Sequence, residues 1–284
     1  MCIGLGPSVG LRHNRGMTRP SERDLDLLVE ALRPLSHLVR PYFDGLERIP
    51  DSRPLLFVGN HTLYGVIDLP FLFTELWHRK RICIRGLGDH FHFKIPLWRD
   101  FLVRFGAVEG TPENCAQLMR QGESILVFPG GSREVFKRKG EQYRLMWKER
   151  LGFARLALAH RCTIVPFAAV GADDCYDIVF DGEELLATPF GRLALRMGIK
   201  PDMAAPISLG LFGSPLPRPE RFYFSFGDPI VADGDAADLD AVRALRDRTH
   251  AAVRARLDHL LKVRAQDRDR PLTRRLLRAI VDLF

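Results

Sequence analysis

Between residues 55 and 170 the chain alternates short apolar runs with longer stretches whose apolar residues recur at helical spacing. Residues 55–59, 82–85, 107–108, 124–128 and 163–170 are the short runs and read as strands. Residues 69–78, 97–105 and 147–160 read as helices. A fourth helix opens at Thr111-Pro112, an N-cap followed by a proline at the first helical position. Cys115, Leu118 and Met119 give it an apolar face, and Gly122 ends it. Pro166 is expected to interrupt the last strand. Strands alternating with helices specify an α/β fold, a central mainly parallel or mixed sheet flanked by helices. The 284 residues are enough to bury roughly three quarters of the unfolded surface. We assign residues 51–265 to one such domain.

The flanks differ. Residues 1–20 are Gly-rich and irregular, with Met17 as an alternative start. Gly6-Pro7-Ser8-Val9-Gly10 spells G-x-S-x-G, but it lacks the preceding strand and following helix that a nucleophile elbow requires. Residues 21–50 read as an amphipathic N-terminal helical segment: Ser21 is the N-cap, Asp24 takes the capping-box position, and Leu25, Leu28, Val29 and Leu32 share a face. Pro34 is expected to break or kink it. Packing on the domain and resting on lipid both satisfy this pattern. Residues 172–219 mix apolar residues with Gly and Pro, as a substrate-shaping excursion or a lid does. Residues 221–226 alternate like an exposed strand, and residues 239–263 form a long amphipathic helix. Residues 266–284 hold a charged linker and a basic amphipathic C-terminal helix. There Leu276, Leu277, Ile280, Val281 and Phe284 oppose Arg274, Arg275 and Arg278, which suits a membrane surface or docking on the domain.

A net charge of +7 and a pI near 9.4 favour anionic partners. Nucleic acid has only that overall charge in its favour and is not expected. The five cysteines are scattered without a C-x-x-C pair, so neither zinc nor a disulfide framework is indicated and a reducing, cytoplasmic setting is expected. Asp89-His90-Phe91-His92 has no further His/Cys cluster at suitable spacing, and no metal is expected. No apolar stretch approaches the ~20 residues of a spanning helix, so any membrane attachment is expected to be peripheral.

Two strand ends carry chemistry. The first run ends in Asn60-His61, and Asp68 stands just before the next helix. A histidine at a strand's carboxyl end, beside a carboxylate that orients it, is how a general base is built. A loop histidine without chemistry fits the same string. The run 124–128 ends in Pro129-Gly130-Gly131-Ser132-Arg133-Glu134. Paired glycines let backbone amides approach an anion or oxyanion, Arg133 adds a positive charge, and Glu134 can orient it or a substrate hydroxyl. A tight turn with a surface ion pair fits as well. Lys137-Arg138-Lys139 suits phosphates of lipid or of coenzyme A, or simply a solvated charge run.

These strings occur in an order that resembles the glycerolipid (lysophospholipid) acyltransferase superfamily, over residues 55–170. Asn60-His61 matches the first of its four blocks and Gly106-Ala107-Val108 the start of the second. Phe128 to Arg133 match the third and Val165-Pro166-Phe167 the fourth. Gly130-Gly131-Ser132-Arg133-Glu134 followed by Lys139-Gly140-Glu141 fits the variant found among type-2 diacylglycerol acyltransferases and plant phytyl ester synthases.

The resemblance implies a single acyltransferase domain that moves a fatty acyl group from acyl-CoA or acyl carrier protein to the hydroxyl of a lipid at a membrane surface. His61 would be the base, Asp68 its partner, and Asn60 with residues 130–134 the substrate-binding set. No cofactor beyond the acyl donor is implied. Three departures matter. His61 and Asp68 stand seven positions apart, where the family spaces them by about one helical turn. Gly130 replaces a glutamate. Glu109-Gly110-Thr111 stands where an arginine usually holds a phosphorylated acceptor, which points to a neutral alcohol such as diacylglycerol or a long-chain alcohol, with a lysophospholipid as the alternative acceptor. A lipid hydrolase and a noncatalytic lipid-binding protein of the same fold are the alternative readings.

Overall fold

A computed structural model of the chain describes residues 18–197, 201 and 204–281. The Ser8 string, Met17 and Phe284 lie outside the described residues. Helix α1 (Glu22–Val39) leads to strand β1 (Tyr42–Asp44), then β2 (Leu55–Val58), α2 (Leu69–Lys80), β3 (Ile84–Gly88), α3 (Pro96–Arg104), β4 (Val108–Glu109), α4 (Pro112–Arg120) and β5 (Ser124–Val127). There follow α5 (Ser132–Val135), α6 (Gly152–His160), β6 (Thr163–Val170), β7 (Asp177–Phe180), α7 (Gly182–Ala187), α8 (Pro189–Arg196), β8 (Ile207–Leu209), β9 (Tyr223–Phe226), β10 (Ile230–Val231), α9 (Leu239–Gln266) and α10 (Leu272–Val281).

The main sheet has the order β1-β9-β6-β2-β5-β3-β4, with β10 pairing β6. Strands β6, β2, β5, β3 and β4 run parallel; β9 and β10 are antiparallel to β6. Successive residues of β2 point to opposite faces. Leu56 and Val58 therefore join the core beneath α4, α6 and α9, while Leu55 and Phe57 join that beneath α2. All four are fully buried, each contributing roughly 1.5–3 kcal/mol. A strand covered on both faces, as this one is, belongs to an α/β layer architecture.

The cap of α1 forms as expected, with Ser21 Oγ accepting from the Asp24 amide at 3.1 Å. The helix is not broken at Pro34. A proline removes one backbone bond, and α1, which packs against α2 and α10, continues past it to Val39. Leu25 lies with Trp77 and Cys83, and the Trp77 indole donates to Asp26 at 2.8 Å. Tyr42 and Phe43 leave the helical pattern altogether, because β1 pairs in parallel with β9 and joins the sheet.

Nor is β6 interrupted at Pro166. In a strand a residue's N–H and C=O point to the same side, and the Pro166 carbonyl accepts from Gly227 N. Gly227 lies in the turn between β9, which pairs residues 167–170, and β10, which pairs 163–164. The missing N–H thus falls where no strand opposes it. Residues 223–226, expected to be exposed, are fully buried, because β9 lies between β1 and β6 and under α9. The stretch 172–219 carries the separate antiparallel pair β7-β8 with α7 and α8. The C-terminal helix docks on the domain. Arg275, expected on a solvated basic face, is 1% exposed and donates to the carbonyls of Leu38, Val39 and Pro219.

Candidate active site

The carboxyl ends of β2, β5 and β6 lie side by side, with Val58 paired to both Val127 and Pro166. The crevice outside the carboxyl ends of parallel strands is where α/β sheets bind ligands. Three of the four motif blocks reach that edge. Beyond Val58, Gly59 continues toward β5 through a bond to Val127 O. A Cβ at Gly59 would come within 2.5 Å of the Phe167 ring, so the fourth block is packed directly against the first. The Asn60 side chain acts as a strand residue. Its Nδ2 donates to Ala169 O and its Oδ1 accepts from Ala169 N, both at 2.9 Å. Buried and doubly bonded, Asn60 ties the β2 end to β6 rather than facing a ligand.

His61 follows, half-buried. Its backbone is held twice: the amide donates to Glu134 Oε2 at 2.8 Å, and the carbonyl accepts from Lys137 Nζ at 2.6 Å. The imidazole stacks on Phe128 of the third block, with ring centroids 4.1 Å apart. Gly65 lies against the Cε1 end of the ring; a Cβ there would come within 1.9 Å of His61 Cε1. With Tyr64 and Gly65 both at positive φ, residues 61–68 form a compact turn, not a helix.

That turn decides where Asp68 goes. It is 2% exposed at the start of α2, and its carboxylate accepts from the hydroxyl of Thr62, the neighbour of His61, at 2.9 Å. Burial pushes its pKa up to about 6, against the opposing effect of the Thr62 bond. Two turns of helix would have carried Asp68 about 10 Å along an axis; the left-handed residues fold the segment back instead.

The third block is a brace. Glu134, fully buried, accepts from the amides of His61 and, through Oε1, of Met146 at 2.7 Å. Burial raises its pKa, and the two amide bonds oppose the shift. Gly130 is required by this packing, since a Cβ would overlap the Glu134 side chain at 1.9 Å. The family's usual residue there is thus excluded by the glutamate four positions on. The Gly131 amide closes a turn on Phe128 O at 3.0 Å and so is already used, and the Arg150 guanidinium lies over Gly131 while donating to Pro129 O. Ser132, half-buried, opens α5. Arg133 is gripped by both oxygens of Glu141, at 2.5 and 2.6 Å, which cancels the free charge expected of it.

Asp173 carries no sequence signal as a site residue, and Lys137, expected within a basic run suited to phosphates, is instead turned inward. Lys137 is 1% exposed and bridges His61 O, Glu134 O and Asp173 Oδ1. Asp173 also accepts from the amides of Leu63 at 2.7 Å and Tyr143 at 3.0 Å. Within the basic run, Arg138 pairs with Glu183 and Lys139 with Glu184. In the second block, Glu109 pairs with His90 at 2.6 Å.

Residues 40–170 match the model of the Acyltransferase family. Phytyl ester synthase 1, chloroplastic, of Arabidopsis thaliana is 32% identical over 256 aligned residues, covering 82% of this chain and 36% of that protein. A human protein named DGAT1/2-independent enzyme synthesizing storage lipids is 34% identical, over 43% of this chain and 37% of its own length. The chain thus spans little more than a third of either relative. Among solved structures, the 1-acyl-sn-glycerophosphate acyltransferase PlsC of Thermotoga maritima superposes with a TM-score of 0.51 at 15% identity, over 87% of this chain and 85% of that one. That likeness concerns the fold, a mixed, mostly parallel sheet flanked by helices.

Proposed function

We propose, from the match of residues 40–170 to the Acyltransferase family model, that the chain is an O-acyltransferase that esterifies a neutral lipid alcohol with the acyl group of acyl-CoA or acyl carrier protein. The observation that carries the proposal is the placement of His61. It stands at the carboxyl edge of the sheet, with its ring on Phe128 of the third block and its backbone fixed by Glu134 and Lys137. Such fixation keeps a base in attacking geometry.

In the proposed reaction His61 takes the proton of the acceptor hydroxyl. The oxygen attacks the thioester carbonyl, the tetrahedral adduct expels the thiolate, and the thiolate recovers the proton from the imidazolium. The ester forms as the thioester is broken, with no covalent enzyme intermediate and no metal. Asp68, reaching the loop through Thr62, sets the polarity behind the histidine.

A neutral acceptor suits the charges. Arg133 is paired with Glu141 and Lys137 with Asp173, and the second block carries Glu109, itself paired with His90. None of these three positions offers an uncompensated cation to a phosphate. The relative named as a phytyl ester synthase accords with a long-chain alcohol. Among the described residues no helix is long and apolar enough to cross a membrane.

The test is incubation of the purified chain with labelled acyl-CoA or acyl carrier protein and matched acceptors: a long-chain alcohol, diacylglycerol and a lysophosphatidic acid. Thioester-dependent ester formation on the first two is expected. Release of free acid alone, or preference for the phosphorylated acceptor, contradicts the proposal.

A further inference from the structure

Both terminal helices suit a lipid surface by sequence, yet both are spent on the fold. Helix α1 packs on α2, and α10 is anchored by the buried Arg275. Leu27 and Leu35 of α1 and Leu276 of α10 stay exposed, as do Leu97 and Phe101 of α3, but the stretch after β7 exposes more large apolar side chains than any of these helices. Phe190 is 81% exposed, Leu193 52% and Met197 78%; Phe212 is 96% exposed. We infer that α8 and the Phe212 tip form the surface by which this protein docks on an anionic bilayer.

The spacing of α8 supports this. Phe190, Leu193 and Met197 fall on one stripe of the helix, at i, i+3 and i+7. Gly191 points the other way, where a Cβ would overlap the Leu185 carbonyl, so the helix lies on α7 by the face away from that stripe. Arg196, about a quarter turn from the stripe, and Arg192, farther round on the same side, are both exposed, and α8 itself has no acidic residue. An apolar stripe with arginines to one side is the chemistry of a helix lying in the headgroup region, with the cations at phosphate depth.

Phe212 adds a second contact. It sits between Gly210 and Gly213 with a positive φ of 52°, which aims a phenyl ring outward from a loop. Leu216, 63% exposed, lies on the returning arm of the same loop, which the Leu211 amide ties to the Leu216 carbonyl at 2.8 Å, so the tip presents an apolar pair and not a lone ring. A second copy of this chain is the competing occupant. The arginines argue against it, since two copies would bring like charges together.

Position links this surface to the site. The Tyr64 hydroxyl, in the turn after His61, donates to Pro206 O at 3.0 Å, just before β8, and its ring meets that of Tyr176, just before β7. Lys139, after the third block, grips Glu184 of α7. Docking through α8 would thus hold the His61 loop close to the bilayer from which a lipid alcohol arrives. That consequence rests on the acyl-transfer reading; the docking surface itself does not.

The experiment uses the full chain and vesicles of phosphatidylcholine, alone or with about a third phosphatidylglycerol, in co-sedimentation. The parent is expected to bind the anionic vesicles and release them at high salt. Phe190→Ser with Leu193→Ser and Phe212→Ser should lower partition by about tenfold or more, and Arg192→Glu with Arg196→Glu should abolish the preference for anionic lipid. All five residues are exposed, and an unchanged melting curve verifies the fold. Separately, Phe212→Trp should shift its emission to the blue on adding vesicles. Ester formation on a soluble short-chain alcohol, measured without vesicles, should survive the triple Ser variant. Its absence in the parent would sink the acyl-transfer reading while the sedimentation result still decides the surface. Unchanged vesicle binding by the triple variant overturns the inference. So does sedimentation velocity showing that the substitutions dissolve a dimer and leave vesicle binding intact.

Discussion

Gly65→Ala tests how tightly the loop holds the histidine. Gly65 has φ +61°, and an added Cβ would stand 1.9 Å from His61 Cε1 and 2.6 Å from Nδ1. Carbon contacts settle near 3.5–4.0 Å, so the ring or the loop must yield by about 1.5–2 Å. Phe128 stacks on the ring with centroids 4.1 Å apart, so movement toward that side is blocked. Two separable costs follow. The left-handed backbone costs about 1–2 kcal/mol of stability for any L side chain. The displaced base costs turnover, and misplacement by about 1 Å is worth on the order of 100-fold. Gly122→Ala isolates the first cost. Its φ is +72° and nothing lies within 4 Å of the added Cβ. We expect both variants to lose similar backbone stability in denaturant titrations, but only Gly65→Ala to lose about 100-fold or more in ester formation from acyl-CoA. Parent-like turnover in Gly65→Ala, or an equal loss in Gly122→Ala, would refute the argument that steric confinement of His61 sets the rate.

Two further variants probe the buried groups. Because the native pKa of Asp68 is raised to about 6, the folded state binds more protons than the unfolded one between about pH 4 and 6. Its ionisation therefore costs stability as pH rises through that window, by on the order of 2–3 kcal/mol, fully present above about pH 6. Asp68→Asn, which still accepts from Thr62, should be more stable than the parent at pH 7.5, equal to it near pH 4, and at least about tenfold slower; a destabilised variant at pH 7.5 contradicts the sign. Lys137→Met leaves Asp173 buried without its cation and should cost about 3–5 kcal/mol in urea unfolding, with Asp173→Asn restoring part of the loss. Strict additivity of the two substitutions would show that the pair does not act as a unit.

The alternation of strands and helices was legible because buried parallel strands are apolar throughout, and local caps such as Ser21 and Thr111 form where their side chains predict. What sequence could not supply was partnership at long range. Pro166 looked like an interruption because the turn facing it, at Gly227, lies 61 positions on. Arg275 looked solvated because its carbonyl acceptors, at Leu38, Val39 and Pro219, are far away along the chain. The site was legible as motifs, and the structure brings Asn60, His61, Gly130, Gly131 and Glu134 together at one sheet edge. It places Asn60 and Glu134 as framework, with bonds to Ala169 and to the His61 amide. Arg133 was read as a free cation because Glu141 could not be seen to fold back on it. Lys137 hid inside a basic run whose other members do reach the surface.

The central claim is that His61 removes the proton of an acceptor alcohol during transfer from a thioester. The direct measurement is single-turnover ester formation from labelled acyl-CoA and a long-chain alcohol, comparing the parent with His61→Ala at matched folding. The account predicts ester in the parent and a loss of at least about 100-fold in the variant. Ester formation at the parent's rate in His61→Ala would contradict it.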